Sequence, residues 1–203
     1  MSTIAGSDPD ILAVGPFGAA VGQHLRAMLP SGSTDGVLVL AAWRPVPGLY
    51  RQVEHAAYER GVPWIAAVME HPRLRIGPVV VPGAGPCHRC FERRQLQHAP
   101  AGRIDRAVER YYEMSDGAGP HGFLPATVWL TVGLLADVIG RLQQHRDGEA
   151  GRIRMINILT QQLTAGRTVG IHGCPRCGLR RDEARRSSDR LRTSLQEALQ
   201  WTS

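Results

Sequence analysis

The chain contains no lysine: all 24 residues in its lysine-plus-arginine count are arginine. This removes the amine of a phosphate-binding P-loop, a Schiff-base nucleophile and a lysine proton donor, so several nucleotide-dependent mechanisms lose a usual participant. Long apolar runs are also missing. Runs such as residues 65–69 and 128–132 stop well short of the roughly 20 residues that cross a bilayer, so no membrane span is expected. The N-terminus, Met1-Ser2-Thr3-Ile4, carries no basic segment followed by an apolar one, so no secretory signal is visible and a cytoplasmic chain is expected. What remains is 203 residues, 43% of them apolar, with a net charge of +6, enough for one domain with a proper core.

Cysteine is sparse but ordered. The four cysteines form two Cys-x-x-Cys pairs, Cys87-His88-Arg89-Cys90 and Cys174-Pro175-Arg176-Cys177, and none is left over. Two intervening residues let the backbone turn while both sulfurs point at one ion, so two such knuckles can close a tetrahedron around zinc. Pro86, Pro175 and Gly178 supply turn geometry beside them. A structural zinc site of Cys87, Cys90, Cys174 and Cys177 is the leading expectation, with His88 a bystander. Four protein sulfurs leave no position for water, which makes the metal a staple and not a Lewis acid. Paired disulfides and redox thiols are the alternatives; the first needs an oxidising compartment, and thioredoxin-like pairs come singly.

Along the chain, residues 10–22 read as a short buried strand, a glycine turn and the start of a helix running through Leu29. Gly15, Gly18 and Gly22 miss the dinucleotide fingerprint, because Phe17 stands where a second glycine would admit a pyrophosphate. Tight strand-to-helix packing without a ligand is the favoured reading. Residues 37–42 form an apolar run, a second strand, ending at Trp43-Arg44-Pro45 where an adenosine site would place a ribose-binding carboxylate. Helical spacing covers residues 48–60, with Gly61 as its stop, and residues 63–68 read as a third strand. Residues 79–86 form a turn-rich ramp to the first knuckle. The polar stretch 91–116 is expected to be a helix followed by a mobile loop.

Residues 123–144 are helical, with Leu130, Leu134, Leu135, Val138, Ile139 and Leu142 predicted to face the core. Two strands follow, over 152–158 and 163–171, the second running into the second knuckle. Beyond Gly178 the tail mixes Arg180, Arg181, Arg185, Arg186, Arg190 and Arg192 with Asp182, Glu183 and Asp189, a solvated helix face more than a nucleic-acid footprint. Trp43, Trp64 and Trp129 are core or interface anchors. Arg44 and Arg94 are either surface residues or contacts for a peptide or partner carboxylate.

This order of parts resembles the ThiF/MoeB superfamily, the ubiquitin-activating-enzyme fold, and within it the divergent ThiF-like component of azole-forming cyclodehydratases, the leader-peptide-binding proteins of thiazole/oxazole-modified microcin pathways. The resemblance rests on Ala42-Trp43-Arg44-Pro45, Val62-Pro63-Trp64, Gly77-Pro78-Val79-Val80-Val81-Pro82, Gly85-Pro86 before the first knuckle, Arg94-Gln95, Gln97-His98, Gly122-Phe123-Leu124-Pro125, and His172-Gly173 before the second. It implies an α/β fold, a truncated Rossmann-like ThiF/MoeB-type domain over residues 1–180 with a four-cysteine structural zinc site, followed by an arginine-rich helix or tail over 181–203. It further implies a non-catalytic subunit with no catalytic or cofactor-binding residues of its own. Such a subunit supports a YcaO-type cyclodehydratase acting on a ribosomal precursor peptide, and is a homodimer as ThiF folds commonly are. The glycine turn begins by residue 15, which leaves no room for the winged-helix module that grips the leader in such proteins, so peptide contact is expected to be indirect. Two other readings stand beside it: an ATP-dependent adenylating enzyme using Gly15 to Gly22 and arginines such as Arg44, and a zinc-ribbon nucleic-acid binder acting through the tail.

Overall fold

The computed structural model describes residues 10–29, 36–98, 102–115, 117–120 and 122–178, together with residues 192 and 196. The expected tail over 181–203 therefore lies almost wholly outside the described residues. Strand β1 (Ile11–Val14) leads directly into α1 (Gly15–Met28), then come β2 (Leu38–Ala42), α2 (Pro47–Arg60), β3 (Trp64–Glu70) and β4 (Arg73–Ile76). Helices α3 (His88–His98), α4 (Gly102–Met114) and α5 (Pro125–Gln144) follow, and a 3-10 turn at Arg146–Glu149 precedes β5 (Arg152–Asn157) and β6 (Leu163–Arg167). One six-stranded sheet runs in the order β1-β2-β3-β4-β5-β6. Its first three strands are parallel and the rest antiparallel.

The period-two alternation of strand side chains divides the core. Ile11, Val39, Ala41, Ile65, Ala67 and Met69 face α1 and α5, whereas Val14, Leu40, Ala42, Trp64, Ala66 and Val68 face α2. Burial on both faces explains why β2 and β3 read as continuous apolar runs. Gly61 caps α2 at φ 65°, the left-handed conformation that glycine adopts without strain.

Three strands step across the sheet in one direction while α1 and α2 lie on opposite faces. The two crossovers therefore have opposite hands, and one breaks the right-handed rule obeyed by about 98% of such units. A doubly wound sheet of order 3-2-1-4-5-6 accounts for this, because removal of its second and third strands leaves 1-4-5 with successive helices on opposite faces. The truncation expected from sequence thus takes a definite form. It also places the former switch point, where doubly wound sheets hold their ligands, at the carboxyl ends of β1 and β2.

Three expectations change. Residues 102–114 form α4 where a loop was expected, and β4 was not anticipated at all. Leu130 is 42% exposed and Trp129 52%, so neither is a core residue of α5. Helix α5 is also long and apolar enough to cross a membrane by length and composition, with a mean hydropathy of 1.3 over its best window. Short apolar runs concealed this because Thr127, Thr131, Gly133 and Asp137 interrupt them. Here Val128, Val132, Leu135, Val138, Ile139 and Leu142 pack into the core between α1 and the sheet.

Candidate metal centre and the glycine-turn crevice

The two knuckles meet although 87 residues separate their cysteines. The first opens α3, whose initial turn is closed by the Cys90 N–H on the Cys87 carbonyl at 3.0 Å. The second is a tight turn in which the Gly178 N–H donates to the Cys174 carbonyl at 2.8 Å. A Cβ at Gly178 would meet the Cys174 backbone at 2.6 Å, so this turn admits only glycine. All four sulfurs are buried and lie within 4.8 Å of one another. Neighbouring pairs are 3.8 Å (Cys87 and Cys90), 3.6 Å (Cys87 and Cys174) and 3.4 Å (Cys90 and Cys177) apart. Tetrahedral coordination at about 2.3 Å requires sulfurs about 3.8 Å apart, so the donor set fits a metal ion. All four thiols are free, and none is within disulfide distance of another.

Without a cation the thiols act on one another. The hydrogen bond between Cys87 and Cys177 holds the Cys177 thiol down at about 4 and pushes Cys87 up, while burial raises Cys90. A bound cation would replace the protons shared across this cluster.

Around the sulfurs, Glu54 on α2 ties both knuckles together. It accepts the His88 N–H at 2.6 Å and lies 3.8 Å from the Arg176 guanidinium. Burial raises its pKa. The Ile171 N–H points at the Cys90 sulfur at 3.3 Å, a contact that stabilises a thiolate. Tyr58 and Ile171 pack against the cluster, and Arg176 stacks over the Tyr58 ring at 5.0 Å. The His88 imidazole turns away from the sulfurs into an aromatic nest, with ring centroids 4.7 Å from Tyr50, 5.2 Å from Trp64 and 5.6 Å from Phe91. Beneath the nest Arg75 is fully buried, paired with Glu70 at 2.6 Å and bonded to the Gly77 carbonyl and the Tyr50 hydroxyl. No sequence pattern announced Glu54, Tyr58 or Arg75, because their roles depend on where α2 and β4 lie.

The glycine turn is a different kind of place. Gly15 holds φ 70° at the carboxyl end of β1, and a Cβ built there would fall inside the Trp43 indole. A Cβ at Gly18 would meet the Ala41 carbonyl. Trp43, at the end of β2, therefore fills the switch-point crevice. Its far edge meets Gly119, where a Cβ would be 3.3 Å from the ring. Arg44 is buried, and donates to the carbonyls of Tyr112 at 2.7 Å and Ser115 at 3.1 Å, strapping the end of α4 across the turn. The guanidinium also stacks on the rings of Tyr112 at 4.8 Å and Trp43 at 5.4 Å. The surface placement considered for Arg44 does not hold. Both glycines serve close packing, as the sequence suggested.

No family model matches this chain, and no curated protein matches it in sequence. Solved structures do. The heterocyclase TruD superposes with a TM-score of 0.60 at 19% identity, covering 80% of this chain and 25% of that one. A heterocyclase in complex with substrate and cofactor gives 0.59 at 22% identity, over 80% of this chain and 23% of that one. The E. coli microcin synthetase McbBCD complex gives 0.56 at 16% identity, over 68% and 52%. At these identities the likeness is one of fold, and the chain spans only about a quarter to a half of the proteins it matches. The α/β fold that the resemblance implied is thus observed, and it is shared with these heterocyclase and microcin synthetase structures.

Proposed function

We propose that this chain is a non-catalytic, zinc-stapled subunit that scaffolds or activates a YcaO-type cyclodehydratase during azoline and azole formation on a ribosomal precursor peptide. The observation that carries the reading is the filled switch point, set within a fold shared with heterocyclase and microcin synthetase structures. The ligand-bearing crevice of a doubly wound sheet holds Trp43 here, and Arg44, the cation nearest to it in sequence, is bonded to backbone carbonyls. Zinc suits Cys87, Cys90, Cys174 and Cys177, since thiolates at tetrahedral spacing favour it and four protein ligands close the coordination shell. When bound, it would supply a crosslink between α3 and the segment after β6. Cys87, Cys90, Cys174 and Cys177 hold the ion, and Glu54 orients both knuckles. On this reading residues 1–180 form the stapled domain, residues 181–203 are an arginine-rich helix or tail, and the subunit is a homodimer.

The test is reconstitution with a YcaO protein encoded beside this chain. Mass spectrometry should show a precursor losing one water per ring at a rate that rises at least about tenfold when this chain is added. Equal rates with and without it would refute the role. Titration calorimetry with Mg-ATP and with NAD provides a second check, and saturable micromolar binding of either would point to an activating enzyme.

A further inference from the structure

A groove of about 510 Å³ lies between α3 and the outer hairpin of the sheet. Phe91, Ile153 and Met155 form its apolar floor beside Gly166, Arg94 and His98 stand along the α3 wall, and Arg167, opposite Arg152 in the hairpin register, sends its side chain to the other face of the sheet, toward the Gly148 carbonyl. Among the described residues no carboxylate lines it. Arg94 donates to the carbonyls of Val169 and Gly170 and to Gln97, and Arg167 to the carbonyl of Gly148, so among the described residues neither guanidinium meets an acid.

One wall ends in an open backbone edge. Among the described residues strand β6 is the last of the sheet, and all five of its residues are exposed. Its bonds to β5 are bracketed by the Asn157 N–H on the Gln162 carbonyl at one end and the Thr168 N–H on the Gly151 carbonyl at the other. Antiparallel pairing alternates, so the even-numbered residues bond to β5, and Leu163, Ala165 and Arg167 turn their N–H and C=O groups outward. Such an edge is a template for an added strand.

We propose that β6 and this groove bind an extended acidic peptide as a seventh strand. Its backbone pairs with Leu163, Ala165 and Arg167, alternate apolar side chains settle over Ile153, Met155 and Phe91, and the carboxylates between them turn to the other face of the sheet, toward Arg167, while Arg94 adds positive charge at the groove's wall. The uncompensated positive charge selects this occupant. A second copy of the chain would bring the same arginines to the edge, and residues 179–203, with six arginines against four acids, carry a net positive charge of their own. The metal centre sets the groove's width, because Cys90 lies in the first turn of α3 while the segment after β6 runs through Ile171, whose N–H meets the Cys90 sulfur, to Cys174. The proposal rests on the peptide-modifying role only for the peptide's biological identity, not for its binding.

Fluorescence polarisation on the full-length zinc-loaded protein alone tests it. The probe is a labelled peptide of roughly eight residues alternating glutamate and valine, compared with a lysine and valine counterpart. Saturable binding of the acidic probe is expected, at least about tenfold tighter than the basic one. Ala165→Pro removes an outward donor without touching the β5 ladder, and Gly166→Leu fills the floor, where a Cβ meets only Ile153 at 3.8 Å. Each should weaken binding about tenfold or more while far-UV dichroism and zinc content stay unchanged, as should Arg167→Glu. Equal affinity for both probes, no saturation, or indifference to Ala165→Pro and Gly166→Leu overturns the proposal. A dimer that Ala165→Pro dissolves, with no probe bound, also overturns it and assigns the edge to a second copy. Because no YcaO protein is present, failure here leaves the reconstitution result standing, and the converse holds.

Discussion

The metal centre and the glycine turn each begin as a short loop motif next to a helix N-terminus, and they end in opposite conditions. At the centre, residues remote in sequence converge so that four sulfurs take up ligand separations and Glu54 braces both loops. At the turn, convergence brings Trp43 and the α4 strap onto Gly15. The difference teaches that a motif carrying its own donor atoms reports its chemistry directly. A glycine motif works by leaving room, and whether the room survives depends on a side chain elsewhere.

The largest expected effect breaks the first half of that contrast. Cys174→Ser should abolish stoichiometric zinc and lower unfolding free energy by several kcal/mol, on the order of losing a native structural metal. Elemental analysis alongside thermal melting checks this, and a variant keeping one zinc per chain with an unchanged Tm would sink the site. Next comes Gly15→Ala, which sets a Cβ against the indole at a positive φ and should cost about 3 to 4 kcal/mol in urea denaturation. Trp43→Ala sharpens the same side, because it opens the crevice while supplying neither lysine nor ribose carboxylate. Calorimetry should still find no saturable Mg-ATP binding, and its appearance would mean that the indole alone keeps the nucleotide out.

A pH effect arises between the two regions. Burial lifts the Tyr50 hydroxyl from the ordinary 10.0 to about 12, so its proton is held more tightly in the folded chain than in the unfolded one. Its contribution is complete below pH 10 and is lost as pH rises through about 12, a span worth about 2 to 3 kcal/mol. Tyr50→Phe should flatten that alkaline limb in denaturation curves, and an unaltered limb would place its origin elsewhere. The smallest effect is that of Glu54→Gln, which keeps the shape and the hydrogen bond to His88 but drops the charge facing Arg176. About tenfold weaker zinc affinity in a chelator competition is expected, with stability changed by about 1 kcal/mol. No change in affinity would reduce Glu54 to a packing residue.

Legibility followed the same division. Helix α2, with Gly61 at its end, and the parallel strands β2 and β3 announced themselves because their signals lie within each segment. Strand β4 escaped because Arg73-Leu74-Arg75-Ile76 is short, and its buried arginine makes sense only once Glu70 and Tyr50 surround it. Helix α4 was obscured by its charge, although Ile104, Ala107, Val108 and Tyr111 recur at spacings of three and four. Trp129 looked like an anchor, yet it stacks on His24 at 4.3 Å at the surface. The groove beside β6 was invisible, since its floor and wall come from segments more than fifty residues apart.

From residues alone one could read the thiol quartet, the lysine-free chemistry and the order of α/β parts, because spacing and composition are local properties of the chain. Packing settled what occupies the switch point, which side chains brace the sulfurs, and that β6 is left as an edge. Those outcomes depend on which distant surfaces come within a few ångströms of each other, and no short window of sequence contains that information.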